Sequence, residues 1–355
     1  MAMTIHTFEL TTVLSPKETQ ATRDYIFEYA FGKKSMSYEK DNRLYFNRWC
    51  NYGVRFYLQP NPVTPECTLH LLVTPAKIMG SADALSLFSV EEQDVPLIDE
   101  KIQAILDKLP IKRYSCRLEL KRLDFCQNVI VPSQKYISEY LRLLRKGASV
   151  SGWTIDSYPK GDERNGHSFR RSKNDNYCQV TVYDKLYQIK QKGYQTCWAA
   201  PERILRVEVS LFRQGIIEEL DQWSIRRDFQ WTEHLLSLSA KGETIIDRAL
   251  KKLVPDLSYY SISSAKDYLW SADARISPTK QKNLLAFLCQ LSRYEHLSKK
   301  EIEENFPNGA KRWKELKELD VNPVTIKARA GISYLPSLPQ LVKLGWLPTL
   351  EDTPV

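Results

Sequence analysis

Short segments in which apolar and polar side chains alternate, bounded by turn-forming residues, place the strongest limit on how this chain can fold. Leu44 to Trp49, Val54 to Leu58 and Cys67 to Val73 are rich in β-branched and aromatic residues, and Asn-Tyr-Gly and Pro-Asn-Pro breaks separate them. Alternation with a period of two is typical of strands, and these breaks are typical of tight connections. The pattern predicts a meander of antiparallel strands.

Helical segments alternate with strands along the chain. A strand from Thr4 to Thr12 leads to a helix from Ser15 to Phe31, in which Ser15 is the N-cap and a proline takes the first position. Asp99 to Leu109 has the apolar spacing of a second helix. A strand at Ser115 to Asn128 and a helix at Ser133 to Leu144 then repeat the succession. Further strands are expected near Thr154, Val180 and Val207.

These patterns predict an α+β fold with two antiparallel-sheet halves, for which duplication is one possible origin. A weak repeat supports it, because Arg122-Leu123-Asp124 and Arg206-Val207-Glu208 both place arginine, an apolar residue and an acid in a strand. After about residue 215 the spacing becomes helical, with candidates at Thr244 to Leu253, Gln281 to Tyr294 and Lys299 to Asn305. The predicted domains are two α+β halves, 1–112 and 113–225, and a helical C-terminal module, 226–355.

Composition narrows the class of protein. The chain has 355 residues and a formal net charge of +8, which favours a polyanionic partner such as nucleic acid but also fits a basic protein with no such partner. No apolar run of about 18 residues is present, so no membrane contact is expected. Seven scattered cysteines without a CxxC pair predict reduced thiols in a cytoplasmic protein. The GxxxxGK[ST] phosphate-binding loop is absent, so intrinsic nucleotide hydrolysis is not expected.

Two acids lie inside apolar strands with an arginine on the same face. Strand alternation places Asp124 on the face of Arg122 and Glu208 on the face of Arg206, while Glu119 is expected on the opposite face from Asp124. A buried carboxylate without a partner is costly. Asp124 and Glu208 are therefore expected either to form ion pairs with these arginines or to hold a metal ion.

One imidazole interrupts another buried strand. His70 lies within Cys67 to Val73, whose alternate residues are apolar. Together with Asp124 and Glu208 it would give two carboxylates and one imidazole, a ligand set that suits Mg²⁺ or Mn²⁺. The alternative is a core histidine whose hydrogen bonds are satisfied by protein groups.

A tyrosine and a lysine are expected to project together from a fourth strand. In Cys178 to Lys185, alternation places Tyr183 and Lys185 on one face with Thr181. A nearby cation favours the phenolate form, which is the form of tyrosine that attacks a phosphodiester. Tyr183 is the candidate nucleophile and Lys185 its companion, although most tyrosines at strand ends are packing residues.

Two basic and aromatic segments are candidates for DNA binding. Arg170, Arg171 and Lys173 lie in the run before the Tyr183 strand, where they suit single-stranded DNA or form an exposed hairpin. Lys311 and Arg312 begin a patch with Trp313 and Lys314 in the C-terminal module. That patch could contact duplex DNA or form a solvated helix face.

Four short motifs, in this order, resemble those of a known family. They are Leu69 to Ile78, Arg122 to Asp124, Val182 to Lys185 and Leu205 to Glu208. Their order and spacing resemble the replication-initiator endonucleases of filamentous phages, the gene II family, with its plasmid and phage relatives, which are distant members of the HUH endonuclease superfamily. The resemblance extends from about Tyr52 to Lys327.

The resemblance implies a catalytic region like that of HUH replication initiators and a metal-dependent enzyme that nicks one DNA strand to start rolling-circle replication. Tyr183 would be the nucleophile of a 5′-phosphotyrosine intermediate, with Lys185 beside it. Asp124 and Glu208 fall where the family has arginine-paired acids. His70 departs from the pattern, because a filamentous-phage relative has glutamate there and the usual pair of histidines is absent.

Partners and rival functions follow from the same resemblance. It implies origin DNA as the substrate, together with a host helicase and a single-strand-binding protein. The two strand arginines, Arg122 and Arg206, are further candidates for DNA contact. A conjugative relaxase would use identical chemistry at a transfer origin. A protein that binds DNA without cutting it is the alternative from another functional class, and the sequence does not fix the oligomeric state.

Overall fold

The computed structural model describes residues 4–31, 33, 36–81, 83–111, 117–147, 153–155, 167–173, 177–194, 198–271, 276–294 and 299–347. The chain forms two compact units whose segments alternate along the sequence. The first comprises Met1–Cys126, Asp175–Cys178 and Val209–Thr244, and the second comprises Gln127–Asn174, Gln179–Glu208 and Ile245–Val355.

The first unit is built on an antiparallel sheet. Its own strands are β1 (Thr4–Leu14), β2 (Ser37–Lys40), β3 (Arg43–Phe46), β4 (Val54–Pro60) and β5 (Cys67–Val73). Strands β6 (Glu119–Val131) and β10 (Arg203–Phe212) give residues to both units. The order in this unit is β2-β3-β4-β5-β1-β6-β10, and all neighbouring strands from β2 to β6 run antiparallel.

Helices cover one face of this sheet. They are α1 (Pro16–Ala30), α2 (Pro75–Ile78), α3 (Asp94–Leu106), α6 (Arg213–Gln222) and α7 (Trp231–Ser239). Ser15 starts α1 through a capping box with Glu18. Phe8 on β1 is fully buried and stacks on Trp231 of α7, and Phe46 on β3 contacts Tyr29 of α1. The alternate residues of these strands form the other, more polar face.

A β-bulge changes which residues of β6 share a face. Glu9 of β1 pairs with Arg122, but the next residue, Leu10, pairs with Leu120, so Lys121 is the extra residue. Glu119 and Arg122 therefore line the same cleft. The prediction that Glu119 faces away from Arg122 is wrong, because strict alternation does not survive the extra residue.

The second unit contains the remaining strands and the C-terminal helices. Its order is β6-β10-β9-β8-β7, with β7 (Trp153–Ile155), β8 (Ser168–Lys173) and β9 (Cys178–Asp184). A small antiparallel sheet joins β11 (Tyr259–Tyr260) to β12 (Tyr334–Leu335). The helices are α4 (Gln134–Lys146), α5 (Lys185–Gln191), α8 (Gly242–Leu253), α9 (Ile262–Trp270), α10 (Pro278–Ser292), α11 (Lys299–Asn305), α12 (Gly309–Glu318) and α13 (Leu338–Leu344).

A mixed α+β fold with a large antiparallel sheet and C-terminal helices is thus confirmed. Strand β5 has the predicted bounds, whereas β9 ends one residue before Lys185, which begins α5. The three predicted domains stay a prediction. Ser115, the predicted start of β6, lies outside the described residues. Among the described helices, none has the length and apolar character needed to cross a bilayer.

Candidate functional site

Tyr183 lies near the end of β9 in the second unit, beside two of the residues predicted with it. Its hydroxyl donates a hydrogen bond of 2.5 Å to Oε1 of Glu208 on the neighbouring strand β10. The ammonium of Lys185 is 6.0 Å from the centroid of the Tyr183 ring and bonds Oε1 of Gln188 at 3.0 Å. The structure therefore brings Tyr183, Glu208 and Lys185 into one cluster, although Lys185 reaches it from the first turn of a helix.

This cluster has the parts that activation of a phenol requires. A carboxylate that accepts a hydrogen bond from a hydroxyl is placed to take its proton, and a cation near the ring favours the phenolate. The Tyr183 side chain is 5% exposed. Most of the surface of this residue is therefore covered by protein in this conformation.

A second polar group next to Tyr183 was missed by sequence reasoning. Asp184 is buried and caps α5 by accepting a hydrogen bond of 3.0 Å from the backbone N–H of Tyr187. Nδ1 of His167 lies 3.5 Å from Oδ2 of Asp184, and the His167 ring stacks on that of Tyr187 at 3.5 Å. An aspartate directly before a helix is a recognisable capping signal, whereas nothing in the sequence near His167 indicates this contact.

Asp124 is held in the ion pair that the sequence left as one of two options. It is 2% exposed, and its Oδ1 accepts a hydrogen bond of 2.7 Å from Nε of Arg122. Its Oδ2 accepts one from the Thr7 hydroxyl. Arg122 also reaches Oγ of Ser210 at 3.4 Å. Both oxygens of Asp124 thus have protein partners in the first unit.

His70 forms a buried cluster with two residues that sequence reasoning did not select. Its Nδ1 lies 2.6 Å from Oε1 of Glu9, the same oxygen that accepts a hydrogen bond of 2.8 Å from the Tyr57 hydroxyl. The His70 and Tyr57 rings stack with centroids 4.4 Å apart. Glu9 could have been noticed as an acid within a predicted strand, but its pairing with His70 depends on the register of β1 against β5.

Electrostatics explain why Glu9 stays ionised in this cluster. Burial raises the pKa of the Glu9 carboxyl, but hydrogen bonds from His70 and Tyr57, with the charges of His70 and Arg122, more than offset it and leave the pKa below its ordinary value. Burial, followed by the charge of Glu9, raises the pKa of the Tyr57 phenol. Tyr57 therefore acts here as a hydrogen-bond donor.

The predicted metal ligands do not form a metal-binding group in the part of the chain that the structure describes. Within it, no three His, Cys, Asp or Glu side chains are grouped so that they could hold an ion. His70 and Asp124 belong to the first unit and Glu208 to the second. The contacts of His70 with Glu9, of Asp124 with Arg122 and of Glu208 with Tyr183 occupy groups that a metal would need.

Two of the arginines predicted to bind DNA are buried. Arg171 is 1% exposed and bonds the Gly147 carbonyl at 3.4 Å, and Arg206 is 0% exposed with its Nε bonded to Oδ1 of Asn128 at 2.7 Å. Side chains without accessible surface cannot contact a phosphate in this conformation. In this conformation both arginines contact protein groups of the second unit, and direct DNA contact by them stays a prediction.

The other predicted DNA contacts keep some accessible surface. Arg170 and Lys173 are half-buried on β8, a segment that forms a strand. In α12, Lys311 is exposed, and the Arg312 guanidinium lies 5.5 Å from the centroid of the Phe287 ring. Arg122 is half-buried and lines a cleft of the first unit.

Comparison with known proteins adds little. No family model matches the sequence, and no curated protein matches it. Among solved structures, the chain is distantly similar to a rolling circle replication initiator protein from Geobacillus stearothermophilus. The TM-score is 0.31 and the identity 12%, over 70% of this chain and 84% of that one. A likeness this weak carries no argument about function, which has to come from the residues themselves.

Proposed function

We propose that this protein is a DNA-nicking and DNA-joining enzyme that starts rolling-circle replication, with Tyr183 as its nucleophile. The observation that carries the proposal is the 2.5 Å hydrogen bond from the Tyr183 hydroxyl to Glu208. A nucleophile bonded to its base, with a cation nearby, is the arrangement that covalent catalysis by a hydroxyl requires. The order of the four sequence motifs supports the same chemistry.

The reaction would proceed by in-line displacement. Glu208 accepts the phenol proton while the Tyr183 oxygen forms a bond to phosphorus, and the bond from phosphorus to the 3′ oxygen breaks. Lys185 or water supplies a proton to that oxygen. The products are a 5′-phosphotyrosine and a free 3′ hydroxyl, which a polymerase can extend. Reversal of the same step rejoins the strand.

A requirement for Mg²⁺ or Mn²⁺ remains a prediction from the sequence. The described contacts of His70, Asp124 and Glu208 do not fit a shared ion, so no step is assigned to a metal. If the requirement holds, nicking stops on addition of EDTA and returns with Mn²⁺. Helicase and single-strand-binding partners belong to the same proposal, because the chain lacks a phosphate-binding loop for ATP.

We also propose that the sheet arose by duplication. In chain order, β1 and α1 are followed by β2 to β5, and β6 and α4 are followed by β7 to β10. The strand orders are 2-3-4-5-1 and 7-8-9-10-6, which are equivalent. In this correspondence β4, which carries Tyr57, matches β9, which carries Tyr183.

The test is a nicking assay with supercoiled and single-stranded DNA of the protein's own replicon. Tyr183→Phe should abolish nicking and covalent attachment to the 5′ end, because it removes only the attacking hydroxyl. Tyr194→Phe is the matched control, since Tyr194 is an exposed tyrosine of the same unit. Equal nicking by wild type and Tyr183→Phe would show that Tyr183 is not the nucleophile. Binding by both without any nicking would favour a non-catalytic DNA-binding protein.

The assay also separates a replication initiator from a relaxase. Both would attach to the same kind of 5′ end, but an initiator should cut the replication origin, whereas a relaxase should cut a transfer origin. Supercoiled substrates that carry one origin each distinguish the two.

A further inference from the structure

A continuous row of aromatic rings crosses the polar face of the first-unit sheet. Tyr38 of β2, Tyr45 of β3, Tyr57 of β4 and His70 of β5 are successive register partners. Their ring centroids are 4.8, 5.1 and 4.4 Å apart, and the first and last pairs are stacked. We call these four residues the aromatic row.

The polar face beside this row is open. Tyr38 is 43% exposed at one end of the row, and Val13 of β1 is 59% exposed on the same face. The buried aromatic residues Phe8, Phe46 and Phe56 lie on the opposite face, where the helices pack. The row is therefore not part of the hydrophobic core.

A basic cleft of about 770 Å³ adjoins the row. Tyr57 and His70 belong to the row and also line this cleft. Its cations, which define the basic cleft, are Arg43, Arg117, Lys121, Arg122 and Arg213. The guanidinium of Arg43 also lies 5.1 Å from the centroid of the Tyr57 ring. Aromatic rings and cations thus lie side by side on this surface.

The acids of the cleft neutralise its cations only in part, because five cations and two carboxylates, Glu9 and Glu119, line it. Glu9 is bonded by His70 and Tyr57, and Glu119 lies 3.6 Å from Arg213 in an exposed pair. Among the described residues, no carboxylate forms an ion pair with Arg43 or Lys121. Burial and then the charge of Arg213 lower the pKa of the Lys121 ammonium, so an anion placed here would relieve existing repulsion.

We propose that the aromatic row and the basic cleft together bind single-stranded DNA, with a base stacked on the outer face of Tyr38 at the end of the row and phosphates held by Arg43, Arg117 and Lys121. Proteins bind single strands by combining aromatic stacking platforms with a positively charged groove. A duplex cannot use the row, because its bases are already stacked on one another. Free phosphate would use the cations but not the rings.

This inference rests on the proposed function for its choice of DNA, but its site is in the first unit and contains neither Tyr183 nor Glu208. The proposed nicking function and the proposed binding site can therefore fail separately. Tyr183→Phe tests the chemistry and leaves the aromatic row intact. Substitutions in the row test binding, which is measured without any cleavage.

The experiment is fluorescence anisotropy of a labelled oligodeoxythymidylate with the full chain, carried out in the Tyr183→Phe background so that no cleavage intervenes. Tyr38→Leu should weaken binding about fivefold or more, the loss expected for one stacked base. Lys121→Gln should weaken binding and reduce the slope of log affinity against log salt by about 0.7, as expected for one phosphate. Matched controls are Phe27→Leu and Lys17→Gln, which change exposed residues of α1.

The outcome for other ligands decides between stacking and simple charge attraction. Tyr38→Leu should leave binding of a duplex of equal length unchanged, and inorganic phosphate should compete equally with wild type and Tyr38→Leu. A 5-iodouracil oligonucleotide should cross-link to Tyr38, as located by mass spectrometry. The inference would be overturned if Tyr38→Leu and Lys121→Gln bound the oligonucleotide with wild-type affinity. It would also be overturned if Tyr38→Leu lost as much affinity for duplex as for single-stranded DNA.

Discussion

At the residue scale, the account depends on a few polar side chains that reach partners on neighbouring strands. Tyr183 bonds Glu208 within the second unit, and Tyr57 bonds Glu9 within the first. Both are phenols that donate to a carboxylate and have a cation near the ring, the Lys185 ammonium 6.0 Å from the Tyr183 centroid and the Arg43 guanidinium 5.1 Å from the Tyr57 centroid. The proposal selects Tyr183 and Glu208 because these two belong to the ordered sequence motifs, whereas Tyr57 and Glu9 do not.

Replacing Glu208 by glutamine tests its role as the base. Glutamine keeps the size of the side chain and can still accept a hydrogen bond, but it cannot take the phenol proton. Nicking by Glu208→Gln should fall by about 10²- to 10⁴-fold while oligonucleotide binding is kept. Glu304→Gln, at an exposed position on α11, is the control. A Glu208→Gln variant that nicks at the wild-type rate would exclude proton transfer to this residue.

The Glu9 cluster gives stability a defined pH dependence. The folded pKa of Glu9 lies below its ordinary value of 4.5, so its ionisation adds stability above that pH, and the addition is lost as pH falls through the folded pKa. Urea unfolding should show Glu9→Gln less stable than wild type at neutral pH. The difference should shrink below about pH 4.5, and a difference that grows on acidification would contradict the assignment.

At the element scale, local sequence patterns predicted the helices and strands well. They misplaced residues at two positions, the end of β9 and the bulge in β6. Ser15 and Pro16 fixed the start of α1, and the alternation in Cys67 to Val73 gave β5 its observed bounds. Lys185 was placed on a strand because the alternation continues through it, but the side chain of Asp184 caps a helix there. The bulge at Lys121 has no local signal, because it arises from pairing with β1.

The start of α6 depends on a close backbone approach at Gly215. A Cβ atom there would lie 2.3 Å from the carbonyl oxygen of Tyr177. This oxygen belongs to the backbone, so it cannot turn aside as the end of a flexible side chain could. Gly215→Ala should therefore destabilise the protein by about 1–3 kcal/mol. Gly147→Ala, whose added Cβ would be 3.4 Å from its nearest neighbour, should cost less. Equal midpoints of urea unfolding for the two variants would show that the approach is not a constraint.

At the scale of the whole molecule, the fold class could be predicted and the site only in part. Strand and helix periodicity is local, so the α+β class followed directly. The pairing of Glu9 with His70, the burial of Arg171 and Arg206 and the bond between Tyr183 and Glu208 depend on strand neighbours far apart in sequence. The proposed metal site stays a prediction, because shared strand faces do not specify which strands meet.

The net charge of +8 predicts that DNA binding by the whole chain weakens steeply with salt. Part of this should come from α12, so Lys311→Gln combined with Arg312→Gln should reduce the salt slope for duplex DNA by up to about 2. Lys300→Gln, a highly exposed lysine on α11, is the control. An unchanged slope in the double variant would place the duplex contacts elsewhere.

The most direct test of the central claim is to trap the covalent intermediate and locate it by mass spectrometry. After incubation with origin DNA and nuclease digestion, the peptide containing Tyr183 should carry a nucleotide through a phosphodiester bond to its phenol oxygen. That result would establish Tyr183 as the nucleophile. Nicked DNA with the nucleotide on a different residue, or with no adduct at all, would contradict the proposed mechanism.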